Sequence, residues 1–313
     1  MEQANLCWGA RMPNWSKTLA ELRNNSQGPH DRLRHKWLKK LSGHTGRNVL
    51  VYYSGWLQKG RRMPGVDFAI SDADKTGLMS CSHGVDRSKG LDLVLHTPGG
   101  DVAATESIID YLHSLYDGNI RAIVPQLAMS GGTLMAVSCR DIVMGRQSSL
   151  GPVDPQIGHW AAQGVIEEFK RAVDETTKNP ASIPMWNQVI QKYWPTLITN
   201  CEHAINWSDD LLRTYLANCM FADLSEAERN PKIEAISDLL GKQATSKNHA
   251  RHINPTKAKA AGLRIVDLEG DQKLQDYVLT LHHALTITMS ETRSVKIIEN
   301  DQGSSYVTAA VEV

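Results

Sequence analysis

Between residues 91 and 144 the apolar positions switch repeatedly between two periods. Leu91, Leu93, Val94 and Leu95 form a short, nearly continuous run, and so do residues 120–124 and 142–144. Residues 102–115 instead carry apolar side chains three and four apart, and 133–138 make a shorter stretch of the same kind. Continuous short runs bounded by turn residues are strands buried on both faces, and 3.6-residue spacing marks a helix with one covered face. Their alternation predicts an α/β fold with a mainly parallel sheet and helices packed on it.

The rest of the chain extends this pattern. Residues 48–53, with Val49, Leu50, Val51 and two tyrosines, predict a further strand, and a short helix is expected at 72–79. The first 45 or so residues read as an amphipathic helical arm that stops near Leu41-Ser42-Gly43-His44. Beyond Gly151 the chain turns helical over roughly 161–240, with interruptions expected near Pro180, Pro195 and Pro231. A helix at 255–261, a strand at 264–268, a helix at 273–288 and a hairpin of 295–299 with 306–313 close the chain. The expected organisation is a helical arm at 1–46, a main domain at 47–269 carrying 161–240 as a largely helical insertion, and a helix and hairpin extension at 270–313.

Composition removes several function classes. With 34 basic and 34 acidic residues the formal net charge is zero, so no global field draws nucleic acid or an anionic membrane. The one basic run, between Arg32 and Lys40, has apolar residues at helical spacing and reads as a solvated helix face. The 5 cysteines include no Cys-x-x-Cys pair, which speaks against a disulfide framework or zinc ribbon and for a reducing, cytoplasmic location. Residues 122–139 are uncharged, but Pro125, Gln126, Ser130, Gly131 and Gly132 interrupt them, so they read as protein interior and not as a membrane span. The start of the chain lacks the basic and apolar pattern of a signal peptide.

The chemistry lies in two turns of one construction. Thr97-Pro98-Gly99-Gly100-Asp101 and Ala128-Met129-Ser130-Gly131-Gly132 each end a strand and start a helix. Paired glycines permit positive φ and remove side chains, so backbone N–H groups can converge on one point and hold an anion. Ser130 adds a hydroxyl at the start of its helix, where it is either a nucleophile or an N-cap. Neither turn ends in Gly-Lys-Ser/Thr, and neither matches the Gly-x-Ser-x-Gly or Gly-x-Gly-x-x-Gly patterns, which removes phosphate-loop, α/β-hydrolase and dinucleotide readings.

The string Leu95-His96-Thr97-Pro98-Gly99-Gly100-Asp101, followed by Ala128-Met129-Ser130-Gly131-Gly132-Thr133 and Leu150-Gly151-Pro152-Val153-Asp154-Pro155-Gln156, resembles the serine dehydrogenase proteinase family. That family is related to signal peptide peptidase A and more distantly to Clp protease. The resemblance covers 48–158 and resumes at 258–268. It implies the Clp/crotonase spiral of ββα units, peptide-bond hydrolysis, Ser130 as nucleophile, and an oxyanion hole built from the Gly99-Gly100 turn and Gly131.

The chain also departs from its relatives. Clp proteases place a histidine where Val153 and Asp154 stand here, and signal peptide peptidases use a lysine, for which Lys170 and Lys178 lie in the corresponding region. Measured back from Ala261-Gly262-Leu263, the resemblance assigns the general base to His249, with His252 and His203 as rivals. Asp154, between two prolines, either orients that base or caps its own turn. No metal or cofactor is implied, since Cys201-Glu202-His203 and the pair His249 and His252 are too sparse for zinc. The expected partners are a peptide or protein substrate and further copies of the chain, contacted through the arm and the hairpin; an ATP-driven unfoldase is left open. The competing readings are a crotonase-like acyl-CoA enzyme, for which Glu106 is the one glutamate close to the glycines, and an inactive scaffold in which Ser130 is only a cap.

Overall fold

The computed structural model describes residues 28–60, 63, 65–158, 160–241 and 251–310. Most of the expected arm, and His249, lie outside the described residues. The strands are β1 (Asn48–Ser54), β2 (Leu91–His96), β3 (Ile120–Val124), β4 (Leu127–Ala128), β5 (Ile142–Met144), β6 (Ser149–Leu150), β7 (Gln156–Ile157), β8 (Trp160–Ala161), β9 (Ile265–Asp267), β10 (Ser294–Asn300) and β11 (Ser305–Ala309). The principal helices are α1 (Pro29–Thr45), α2 (Trp56–Lys59), α3 (Asp72–Cys81), α4 (Val102–Tyr116), α5 (Gly131–Val137), α6 (Ala162–Lys178), α7 (Ile183–Ile190), α8 (Leu197–Tyr215), α9 (Glu226–Leu240), α10 (Pro255–Ala260) and α11 (Gln272–Glu291).

The main sheet has the order β11-β10-β1-β2-β3-β5-β9. β1, β2, β3, β5 and β9 run parallel, and β10 and β11 add an antiparallel edge. Side chains alternate between two cores. Leu50, Tyr52, Leu91, Leu93, Leu95, Ala122 and Ile142 pack beneath α3, α4 and α5, while Val49, Val51, Tyr53, Val94, Ile123 and Val143 lie beneath α1 and α11. Cover on both faces is why these strands read as continuous apolar runs.

At the amino-terminal end of the strands, the fully buried carboxylate of Asp92 takes Arg47 at 2.8 Å and Arg121 at 2.7 Å. At the opposite end β4 and β6 form a small second sheet, joined to the main one where Thr97 pairs with Ala128. Both glycine turns sit at this carboxyl end, where open parallel sheets present their binding crevices.

Two expectations change. Pro231 does not break the helical stretch: it lies inside α9, and the interruption comes before it, where a capping box of Ser225 and Glu228 starts the helix afresh. A proline early in a helix forfeits one internal hydrogen bond, and the apolar face of Ile233, Ile236 and Leu240 retains its burial. The apolar face of α1 is not free for contacts between copies either. Leu33, Leu38 and Leu41 are buried, with Leu33 packed on Ala284 and Ile287 of α11 and the other two in the core that α11 covers. The hairpin joins the main sheet through the pairing of β10 with β1.

Candidate active site

β2 ends at His96, and the next residues are held by the second sheet: Thr97 N–H donates to Leu127 O at 3.1 Å, and Met129 N–H donates to Thr97 O at 3.0 Å. Gly99 then turns at φ 93, a region open to glycine, and its N–H donates to Thr97 Oγ1 at 3.1 Å. A Cβ on Gly99 would stand 2.6 Å from both Met129 O and Ser130 Cβ, so the two turns are in direct backbone contact. Gly100 is pinned from the other side by Ile70, whose N–H donates to Gly99 O at 2.8 Å and whose carbonyl accepts from Asp101 N at 2.9 Å.

In the second turn the left-handed residue is Ser130 itself, at φ 49 and ψ −116, and not one of the glycines after it. An L-residue with this backbone is strained and persists only where its surroundings fix it. Here Thr133 Oγ1 donates to Ala128 O at 2.7 Å and accepts from Gly151 N at 3.0 Å, while Gly132 N–H donates to Met129 O at 2.8 Å. Gly131 and Gly132 are helical, and glycine is required there for space: Cβ atoms would meet Thr105 Oγ1 at 2.7 Å and Thr97 Cγ2 at 2.3 Å. The glycine pair of the second turn therefore serves close packing, while the unusual backbone falls on the residue with the hydroxyl.

Ser130 occupies the N-cap position of α5, yet its side chain makes no capping hydrogen bond. It opens into a cleft of about 390 Å³ walled by Pro98, Val102, Pro155, Ala204 and Trp207. Among the described residues the N–H groups of Gly100 and Gly131 donate to no backbone acceptor, and the Cβ position of Gly131 lies 3.4 Å from Gly100 N. The arrangement is thus a half-buried hydroxyl beside two main-chain donors from neighbouring loops.

The remaining expected residues fall as follows. Asp154 is buried and lines a small cavity with Gln163, Ile205, Asp209 and Gly241; Pro155 lies between this cavity and the cleft. Val153 N–H donates to Leu240 O at 2.7 Å, and beyond the undescribed residues Ile253 pairs with Leu150. Leu240 and Ile253, the described residues nearest the segment holding His249 that pair here, therefore adjoin the stretch 150–153 at the end of β6 and just beyond it. His252 is exposed beside Ile253. His203 is exposed on α8, one turn before Trp207 and on the same side. Lys170 and Lys178 are exposed on α6, and neither lines the cleft. Glu106 lies within α4 and does not line it either. Among the described residues no group of three or more His, Cys, Asp and Glu could hold a metal ion, and no helix is long and apolar enough to cross a membrane.

Sequence reasoning passed over Thr97, Thr133 and Ile70. The two threonines flank the glycine motifs and carried a signal of that kind; Ile70 carried none, because its role is a backbone pairing. Under this turn lies a buried aromatic cluster. The His96 ring lies 4.4 Å from Trp56 at a tilt and 5.3 Å from His282 edge to face, and burial lowers the His96 imidazole to about 3.

A mostly parallel α/β sheet with a small second sheet at its carboxyl end, bearing a serine between glycine turns, is the arrangement of a ClpP-like fold. Residues 68–186 match the family described as ClpP-like SDH-type serine proteinases. Two proteins of Methanocaldococcus jannaschii are similar: uncharacterized protein MJ0137 is 38% identical over 102 residues, 33% of this chain and 35% of that protein. Uncharacterized protein MJ1495 is 41% identical over 81 residues, 26% of this chain and 27% of that protein. The matched segment thus spans about a third or less of each relative's length. Among solved structures, a serine-to-alanine mutant of the 1510-N membrane-bound stomatin-specific protease aligns over 63% of this chain and 74% of its own, at 15% identity and a TM-score of 0.35, too low to carry an argument.

Proposed function

We propose that the chain is a serine peptidase that cleaves peptide bonds through an acyl-enzyme on Ser130. Its Oγ attacks the scissile carbonyl, its proton passes to a general base, and the oxyanion is held by the N–H groups of Gly100 and Gly131. The C–N bond then breaks as the base returns the proton to the leaving amine, and water releases the acyl group by the same route in reverse. Gly99 enters as the residue whose lack of a side chain lets the two turns touch, since its own N–H is engaged by Thr97. The observation that carries this reading is the contact of the two turns at Gly99 and Ser130, with the serine hydroxyl left uncapped and facing the cleft.

For the base we propose His249, oriented by Asp154. The support is that the described flanks of its segment, Leu240 and Ile253, hydrogen-bond to Val153 and Leu150 on either side of the Gly151-Pro152 turn. Among the described residues a crotonase-like reading finds no glutamate in the cleft wall; the carboxylate they place there is Asp101, whose Oδ1 accepts from Ala104 N at 2.8 Å as the cap of α4. A homo-oligomer acting on peptides in a reducing, cytoplasmic setting completes the proposal, supported by the free thiols of Cys81, Cys139, Cys201 and Cys219.

The test is labelling by a fluorophosphonate probe together with hydrolysis of a mixed peptide library. The wild-type chain should react and cleave, and Ser130→Ala should do neither while keeping its unfolding transition. Equal labelling of both proteins would end the proposal.

A further inference from the structure

The turn that carries Gly99 and Gly100 rests on a strap, residues 68–71, and the strap is tied down from outside the family-matched segment. Phe68 O accepts from Ser54 Oγ of β1 at 2.7 Å. Ala69 O accepts from Lys296 Nζ of β10 at 2.5 Å. Ile70 contributes its own N–H and carbonyl to Gly99 and Asp101, and Ser71 N–H donates to Asp74 Oδ2 at 2.9 Å.

Lys296 and Asp74 form a buried ion pair, 3.0 Å apart, with side chains 6% and 3% exposed. Tyr52 OH donates to the same carboxylate at 2.8 Å. Every group in this network is satisfied internally, so its geometry is stiff.

The strap admits no slack at its contact with the turn. A Cβ on Gly100 would stand 2.1 Å from Ile70 N, and the Cβ position of Gly131 lies 3.4 Å from Ile70 Cδ1. Ile70 therefore touches both glycine turns, and its height above the sheet fixes their separation.

We infer that Lys296, with Asp74, is a positioning residue for the oxyanion turn: it anchors the strap through the Ala69 carbonyl and so sets where the Gly100 N–H points. This inference rests on the proposed role of Ser130. An ammonium suits the task because its donors can reach a carboxylate and a carbonyl at once; a neutral side chain of similar length fills the space and leaves the carbonyl untied.

Lys296→Met alone strands a buried carboxylate and risks the fold, so the decisive variant is Lys296→Met with Asp74→Asn, which leaves no uncompensated charge. The double variant should lose about 100-fold in kcat and in fluorophosphonate acylation rate, the effect of displacing a reacting group by about 1 Å. KM should change little, since an interaction made in the transition state is the one lost. Lys296→Arg should recover most of the rate.

The control is Glu299→Gln, on the same strand, which breaks a buried pair with Arg34 of 2.7 Å that does not touch the strap. It should lose stability and keep its rate per folded molecule. A double variant acylated at the wild-type rate, or a Glu299→Gln chain that loses as much, overturns the inference. If the wild-type chain is not labelled at Ser130 at all, the reading of the site fails first and the inference falls with it.

Discussion

Replacing Gly99 by alanine tests the contact between the two turns with the smallest possible change. The added methyl would stand 2.6 Å from Met129 O, 2.6 Å from Ser130 Cβ and 2.9 Å from Gly131 N, with backbone on most sides and no flexible side chain to yield. Restoring ordinary contact near 3.4 Å means separating the turns by about 0.8 Å. A φ of 93 adds strain of about 1–2 kcal/mol for a residue with a Cβ, and overpacking a rigid site adds about 1–3 kcal/mol. A shift of this size removes the Gly100 N–H from the position it must hold, and a misplacement of about 1 Å costs about 100-fold in rate. Gly99→Ala should therefore retain the native fold in circular dichroism, unfold at a lower temperature, and react with a fluorophosphonate about two orders of magnitude more slowly. Folded Gly99→Ala labelled at the wild-type rate would refute the claim that this contact shapes the site.

Acid should weaken the fold through the buried histidines. Burial holds His96 near 3 and His282 well below its ordinary 6.5, so between those values and 6.5 the unfolded chain binds more protons than the native one, and stability falls as pH drops below 6.5. The slope is about 1.4 kcal/mol per pH unit for each histidine; urea unfolding at pH 7.0 and 5.5 should show it, His96→Phe should show about half, and a flat wild-type profile would contradict the cause. Thr133→Val keeps the shape and removes the hydroxyl that bonds Ala128 O and Gly151 N; these two groups keep their mutual bond of 3.2 Å, so the change should cost about 0.5–1.5 kcal/mol in chemical denaturation and slow acylation of Ser130, whereas an unchanged rate would detach Thr133 from the geometry of the turn.

The parallel strands were legible because burial on both faces forces continuous apolar runs, and residues 91–96, 120–124 and 142–144 match their strands to the residue. The glycine turns were legible because close backbone contact admits no other residue, and that requirement is local. What the sequence left open is non-local or conformational. The pairing of β10 with β1 joins residues some 250 positions apart, and nothing in the alternation of either strand names the other. Local propensity predicts a break at Pro231, and burial of the α9 face outweighs it. The left-handed backbone at Ser130 is imposed by Thr133 and the neighbouring turn, not by its own preference. Ile70 acts through a carbonyl and an amide that every residue possesses, and Lys296 lies 227 positions from the Ala69 carbonyl it holds, so neither carries a local mark of its role.

The most direct measurement is a crystal structure of the chain after reaction with a phosphonate or boronate that mimics the tetrahedral intermediate. The account predicts a covalent bond to Ser130 Oγ and an adduct oxygen about 2.7–3.1 Å from both Gly100 N and Gly131 N. An adduct on another residue, or an oxygen turned to solvent with both amides unengaged, would contradict it.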